Sequence, residues 1–164
     1  MKNEALLRAS FFVLRCSLAG TMGYLAATAL GLPHPVWACM SALIVSQEKL
    51  TDTRASLTAR VAGSLIGVAV AIAIHYVTSP LTLEPAVPLA AGIAICAIIA
   101  RGRPGLRVCM WTCAIVLLTA GEADVPHTAF YRGSEVLMGA VIGGLLHTVS
   151  AFTVNRLILP RLSR

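Results

Sequence analysis

The chain has 164 residues, of which 57% are apolar and only 12% charged, and its mean hydropathy is +0.82. Soluble domains carry about 25% charged residues, so this composition excludes an ordinary soluble domain and points to an integral membrane protein in contact with a lipid bilayer. A net charge of +6 would suit a nucleic-acid binder, but there is no basic run with interleaved aromatics and only 5% of the residues are aromatic. Nucleic acid is therefore excluded as a partner, and the positive charge is read as an orientation signal.

The first apolar segment covers residues 11–30, preceded by Lys2 and Arg8, and ends at Gly31-Leu-Pro33-His-Pro35. Its apolar run passes Arg15, and no A-x-A site follows a short core, so it is expected to stay as a spanning helix. Further segments cover residues 36–47, 61–77, 86–100, 108–120 and 136–154, punctuated by Pro80, Pro85, Pro88, Gly102-Arg-Pro104-Gly105 and Pro126. In lipid each backbone polar group needs an internal partner, so these segments are expected to be helices. The fold class is an all-α membrane protein, a single six-helix transmembrane domain over residues 1–164.

Charge placement supports that count. With the N-terminus in the cytoplasm, Lys2, Arg8, Arg15, Lys49, Arg54, Arg60, Arg101, Arg103, Arg107, Arg156, Arg161 and Arg164 all fall inside, twelve of the thirteen basic residues. Arg132 alone falls outside, with Glu84, Glu122, Asp124 and Glu135. An error of one helix would scramble this alternation, so both termini are placed in the cytoplasm. The second, fourth and fifth segments are shorter than the roughly 20 residues of a full span. Either they line a path inside the bundle, as interrupted segments of transporters do, or their flanking arginines snorkel to the headgroups.

Gly63-x-x-x-Gly67 lies in the third segment and Gly139-x-x-x-Gly143 in the sixth, each a groove that admits another helix backbone, within one protomer or at a dimer seam. The two motifs hint at an inverted three-plus-three repeat, though the halves are otherwise weakly similar. Cys16, Cys39, Cys96, Cys109 and Cys113 are odd in number and lack a CxxC pair, which reads as small buried thiols rather than disulfides or a metal site. No phosphate loop, nucleophile elbow or metal-binding helix motif is present, so no enzyme, cofactor or metal is expected and ATP is not the direct energy source.

The stretch Gly31-Leu-Pro-His-Pro-Val-Trp37-Ala, then Ser41-Ala-Leu-Ile-Val-Ser-Gln47, then Thr53 through Arg60-Val-Ala-Gly63-Ser-Leu-Ile-Gly67-Val-Ala resembles the fusaric acid resistance and aromatic acid exporter family. That wider group includes the plant aluminium-activated malate transporters. The likeness covers about residues 5–75, with a looser match beyond. It implies movement of organic, often aromatic, carboxylate anions across a bacterial inner membrane, commonly as proton-driven efflux. This chain has one six-helix unit where many exporters have two, and lacks their extended cytoplasmic domain, which suggests a homodimer. An uncoupled anion channel and a non-transporting membrane subunit of a larger complex are the alternatives.

Against that expectation, Arg15 lies about one turn into the first segment and either draws a carboxylate to the inner mouth or snorkels to the headgroups. Arg60 and Arg107 begin the third and fifth segments. With Arg15 they would form a ring of positive potential, since guanidinium groups grip carboxylates in a bidentate fork; orientation alone would also explain them. Trp37 belongs either to an interfacial aromatic belt or to a gate that stacks an aromatic substrate, and Trp111 packs or lines the path. Gln47 sits at the inner end of the second segment. His147, near the middle of the sixth, is a candidate proton relay or a neutral helix-bonded histidine. Glu135, opening that segment, either couples protons or forms a surface pair with Arg132. His34, His75 and His127 are expected near the outer face, solvated.

Overall fold

In the computed structural model, which describes residues 2–120 and 124–154, α1 (Lys2–Ala29) stops at a glycine. Gly31 takes a φ of +67°, and the N–H groups of Gly31 and Leu32 return to the carbonyls of Thr28 and Ala27 at 3.0 Å each. This paired closure satisfies two orphan carbonyls and needs a left-handed residue that glycine supplies without strain. The chain then enters α2 (Val36–Val45), α3 (Leu50–Thr78), α4 (Ala86–Ala100), a 3₁₀ turn (Pro104–Arg107), α5 (Val108–Thr119) and α6 (Val125–Thr153). Among the described residues the chain is all-helical, with six α-helices and no strand.

Three of these helices are long and apolar enough to cross a membrane, over Leu6–Ala29, Thr51–Thr78 and Val125–Thr153. Only 28–33% of the residues in their apolar stretches are buried within the protein, so leucines and valines such as Leu14, Leu25, Leu145 and Val149 are exposed. An apolar exterior of this extent fits a lipid solvent rather than water. The other three apolar helices are short.

The long helices start earlier than the apolar pattern predicts. Helix α1 begins at Lys2 rather than residue 11, α3 at Leu50 rather than 61, and α6 at Val125 rather than 136. Hydropathy marks where apolar residues begin, whereas a helix continues while its backbone bonds close and one face stays buried. Asp52 in the first turn of α3 favours the positive end of the helix dipole. Pro126 lacks an N–H that the first turn of α6 would leave unbonded anyway. Arg15, Arg60 and Glu135 therefore lie several turns inside their helices, and Arg132 is a helical residue, not a loop charge. His127 is likewise in the first turn of α6, exposed, 3.3 Å from Asp124.

The chain forms two compact units. Residues up to Leu57, together with Leu137 onward, make the first; Thr58–Val136 make the second. In the first, α2 is enclosed by glycines on two neighbours. A Cβ on Gly23 of α1 would lie 3.0 Å from the Ala38 carbonyl oxygen, and one on Gly143 of α6 would lie 2.5 Å from that of Ala42. Gly139 is tighter still against the Ala38 backbone. Ala38, Ser41, Ala42 and Val45 are consequently buried.

In the second unit α3 makes the same kind of approach to α5. A Cβ on Gly67 would fall 2.6 Å from the Cys109 carbonyl oxygen and 2.8 Å from the Thr112 Cβ, and one on Gly63 would meet Val108 at 3.0 Å. Gly92 of α4 faces the Cys113 sulfur, one turn further along α5. Cys109 Sγ donates to the Cys96 carbonyl at 3.4 Å. Ala71, Cys96, Ala100, Cys109, Cys113, Val116, Val125 and Ala129 form the core, and the five cysteines are free thiols.

These approaches make a direct prediction. Gly139→Ala should lower thermal stability in detergent by about 1–3 kcal/mol, the usual cost of overpacking. Gly133→Ala, whose Cβ meets nothing within 4 Å, should be neutral or stabilise by about 0.5–1 kcal/mol. Melting monitored by size-exclusion chromatography checks both.

Candidate functional site

The break after α2 draws the first polar group together. A helix that ends in apolar surroundings must satisfy its last carbonyls, and each has a partner here. Ser46 N–H and hydroxyl both return to Ala42 O, at 3.2 and 2.8 Å. Ile44 O accepts from Gln47 Nε2 at 2.7 Å and from the Ser56 hydroxyl at 3.0 Å, and Val45 O accepts from Gln47 N–H. Gln47, half-buried, is thus held by its own side chain with its carbonyl turned toward α1.

Arg15, buried in α1, donates from Nη2 to that Gln47 carbonyl at 2.5 Å, and its guanidinium lies over the Phe12 ring at 5.2 Å. A cation at the C-terminal end of α2 is favoured by the helix dipole. Gln47 N–H donates to Thr53 Oγ1 at 3.2 Å, and Thr53 Oγ1 makes a short hydrogen bond with His147 Nδ1. Thr53 Oγ1 thus links the Gln47 N–H to the His147 ring. The charge of Arg15 reaches His147. Arg15, Gln47, Thr53 and His147 therefore form one connected polar track in the first unit, with a groove beside it lined by Thr53, Leu57, Gly144 and Thr148.

The second unit buries a different set. Arg60 of α3 and Arg132 and Glu135 of α6 are 2%, 3% and 0% exposed. Arg132 senses the charges of both Arg60 and Glu135. Arg132 and Glu135 are three apart, so α6 presents them on one face. The Arg60 guanidinium lies 5.8 Å from the Trp111 ring centre, a cation–π arrangement. Ser64, one turn beyond Arg60, and Thr112, next to Trp111, are also buried. Glu135 and Arg132 are thus not the surface pair expected from the sequence: α6 starts ten residues before Glu135, which places both charges in its interior.

The expected residues are divided by the fold. Arg15, Gln47 and His147 meet in the first unit, whereas Arg60, Trp111 and Glu135 share the second. Trp37 is half-buried in the first turn of α2, and Arg107 is exposed at the end of the 3₁₀ turn. Thr53, Ser64 and Thr112 were not named as site residues by the sequence reading, and Arg132 only as a surface partner of Glu135. For Thr53, Ser64 and Arg132 the signal is the spacing of small and polar residues along a single face: Thr53, Arg60, Ser64 and Gly67 on α3, and Ala129, Arg132 and Gly139 on α6. Gly20 and Gly23, missed for the same reason, pack α1 on α2. Among the described residues, no group of three or more His, Cys, Asp or Glu is placed to hold a metal ion.

A family model described as fusaric acid resistance protein-like matches residues 20–146. This span contains Gln47, Thr53 and the whole buried set of the second unit, with Arg15 and His147 just beyond its ends. No curated protein and no solved structure matches the chain.

The polar track predicts a specific weakness at Thr53. Thr53→Val removes the hydroxyl that bonds the His147 ring and one of the two acceptors of Gln47 N–H, and should cost about 1–3 kcal/mol, as for a buried group left unsatisfied. Thr51→Val, at an exposed position on the same helix, should stay within about 0.5 kcal/mol of the parent. Thermal unfolding in one detergent compares the two.

Proposed function

The chain belongs to the fusaric acid resistance protein-like family, and on that footing we propose that it exports small organic carboxylates, aromatic ones included, across a bacterial inner membrane in exchange for protons. Family and apolar helices together make it a multi-pass membrane protein of transport or efflux type. The finer reading comprises six spans in one membrane domain, both termini in the cytoplasm, and a homodimer as the working form.

One observation carries the anion reading: arginines are buried several turns inside apolar helices, Arg15 in one unit and Arg60 and Arg132 in the other. Ionised groups in a span are costly, and they mark ion and substrate paths. Arg15, held on the Gln47 carbonyl, and Arg60, over Trp111, are the proposed contacts for carboxylate. Trp37 and Arg107 are assigned to the ends of the path. His147, bonded through Thr53 to the α2–α3 break, and Glu135, buried between helices, are the proposed proton carriers, because each can change charge where water is scarce.

Orientation is supported by the exposed basic residues. Arg8 and Arg54, in the early turns of α1 and α3, and Lys49, Arg101, Arg103 and Arg107, between helices, are all assigned to one side. Arg156, Arg161 and Arg164 lie outside the described residues.

Purified protein in liposomes tests the proposal. Benzoate should accumulate against its gradient when a proton gradient is imposed, and the accumulation should collapse on proton equilibration. His147→Gln should reduce uphill movement about tenfold or more, consistent with general acid–base groups, while leaving the melting temperature close to the parent. Downhill flux indifferent to protons would instead make the protein a channel. Absence of flux for any anion from folded protein would leave a membrane subunit that acts through a partner.

A further inference from the structure

A groove of about 230 Å³ runs beside the polar track. It belongs wholly to the first unit, between the early turns of α3 and the later turns of α6. From α6 it is lined by Val141, Gly144, Leu145 and Thr148, which follow at i, i+3, i+4 and i+7 and so share one face. From α3 it is lined by Thr53, Arg54 and Leu57.

Two contacts set the register of these helices. Thr53 Oγ1 bonds the His147 ring, and a Cβ on Gly144 would lie 3.4 Å from a Leu57 methyl. Thr53, Arg54 and Thr148 therefore lie toward one end of the groove, and Val141 toward the other. Among the described residues that Cβ would meet only the Leu57 methyls within 4 Å, so the glycine leaves open the space that a side chain at 144 would enter.

We propose that this groove binds one aromatic carboxylate per chain, with its ring against Leu57, Val141 and Leu145 over the bare backbone of Gly144, and its carboxylate on the Arg54 guanidinium. Charge and shape select that occupant. Arg54 is the charged residue of the described lining, and a guanidinium grips a carboxylate through two parallel bonds. Apolar walls with a few polar groups are the usual make-up of a small-molecule site. An apolar cavity of about 150 Å³ holds benzene, so a groove of about 230 Å³ accommodates one ring with its carboxylate. A second fused ring would project beyond the walls. Along α6 the groove runs about 10 Å from residue 141 to 148, less than the roughly 15 Å of one leaflet's hydrocarbon, which suits a short body better than an acyl chain. Thr53 belongs both to the wall and to the bond with His147, so the bound anion lies one hydroxyl away from a proposed proton carrier. This assignment rests on the organic-anion reading of the preceding subsection and adds to Arg15 and Arg60 a place where the aromatic body is recognised.

Isothermal titration of the purified full chain in nanodiscs of zwitterionic lipid, with benzoate, 1-naphthoate and malate at constant ionic strength, tests it. Benzoate should bind at one site per chain, malate at least tenfold more weakly, and 1-naphthoate no more tightly despite its larger apolar area. Gly144→Leu, which fills the groove, should weaken benzoate at least tenfold while the melting temperature holds or rises, since glycine inside a helix is destabilising. Arg54→Gln should weaken it about tenfold, as loss of a charge-assisted bond implies. Leu57→Ala should shift the preference several-fold toward 1-naphthoate, a change of selectivity that a merely structural leucine would not bring.

Folded parent protein that binds no benzoate overturns the site, and so does benzoate affinity that neither Gly144→Leu nor Arg54→Gln alters. Native mass spectrometry separates the other occupants. If Gly144→Leu strips a co-purifying phospholipid, or converts a dimer to a monomer, while benzoate affinity is unchanged, the groove belongs to lipid or to a second copy and the proposal falls. The liposome assay remains separate. Binding with the expected substitution pattern but no flux keeps the site and sinks the transport reading; uphill benzoate flux indifferent to Gly144→Leu does the reverse.

Discussion

A Cβ on Gly143 would stand 2.5 Å from the carbonyl oxygen of Ala42, and the backbone contact that its absence allows governs much of the first unit. Helix α2 has only ten residues, too few to hold its place by buried apolar area alone. Small residues on three helices let their backbones approach until dispersion contacts do that work, which matters where the surrounding solvent is as apolar as leucine. Once α2 is fixed, its C-terminus has a fixed position, and the carbonyls exposed there draw Ser46, Gln47, Ser56 and Arg15 inward. Thr53 and His147 follow from that. The polar track is therefore a consequence of glycine packing followed by backbone satisfaction.

The second unit repeats this logic with exchanged parts. Gly63 and Gly67 of α3 approach α5, the short middle helix of the second half, just as Gly139 and Gly143 of α6 approach α2, the short middle helix of the first. Helices α3 and α6 each contribute to both units, their first turns to one and their later turns to the other. In each unit a glycine pair on a long helix meets the backbone of a short one. This explains why the two short helices need not match bilayer thickness by themselves: their small faces are occupied by glycine-bearing neighbours within the protein.

Buried charge appears in both units, but in different surroundings. Arg15 contacts a helix end, where a carbonyl and the helix dipole stabilise a cation. Arg60, Arg132 and Glu135 are buried in the second unit, where the hydroxyl-bearing Ser64 and Thr112 are buried too. The first arrangement braces a break in the chain and connects it to a histidine. The second places two guanidiniums and a carboxylate in an apolar setting. One fold thus supplies a braced polar track and a separate buried set of charged side chains.

Much of the fold was legible from composition and spacing. Lipid excludes unbonded backbone, so long apolar runs had to be helices; their number, the stop at Gly31 and the two glycine pairs all follow from residue type and period. The same pattern misplaced the starts of three helices, because hydropathy reports which solvent a side chain prefers, not whether the backbone continues to coil. Arg132 was consequently read as a loop charge and Glu135 as a helix opener, although Pro126 and the spacing of small residues marked the earlier start. Tertiary structure decided which charges share an interior. Thr53 meets His147 across 94 positions of chain, and Arg60 senses Arg132 from another helix. A linear sequence records what each helix face carries; only packing, set by how closely backbones approach, determines which face it meets.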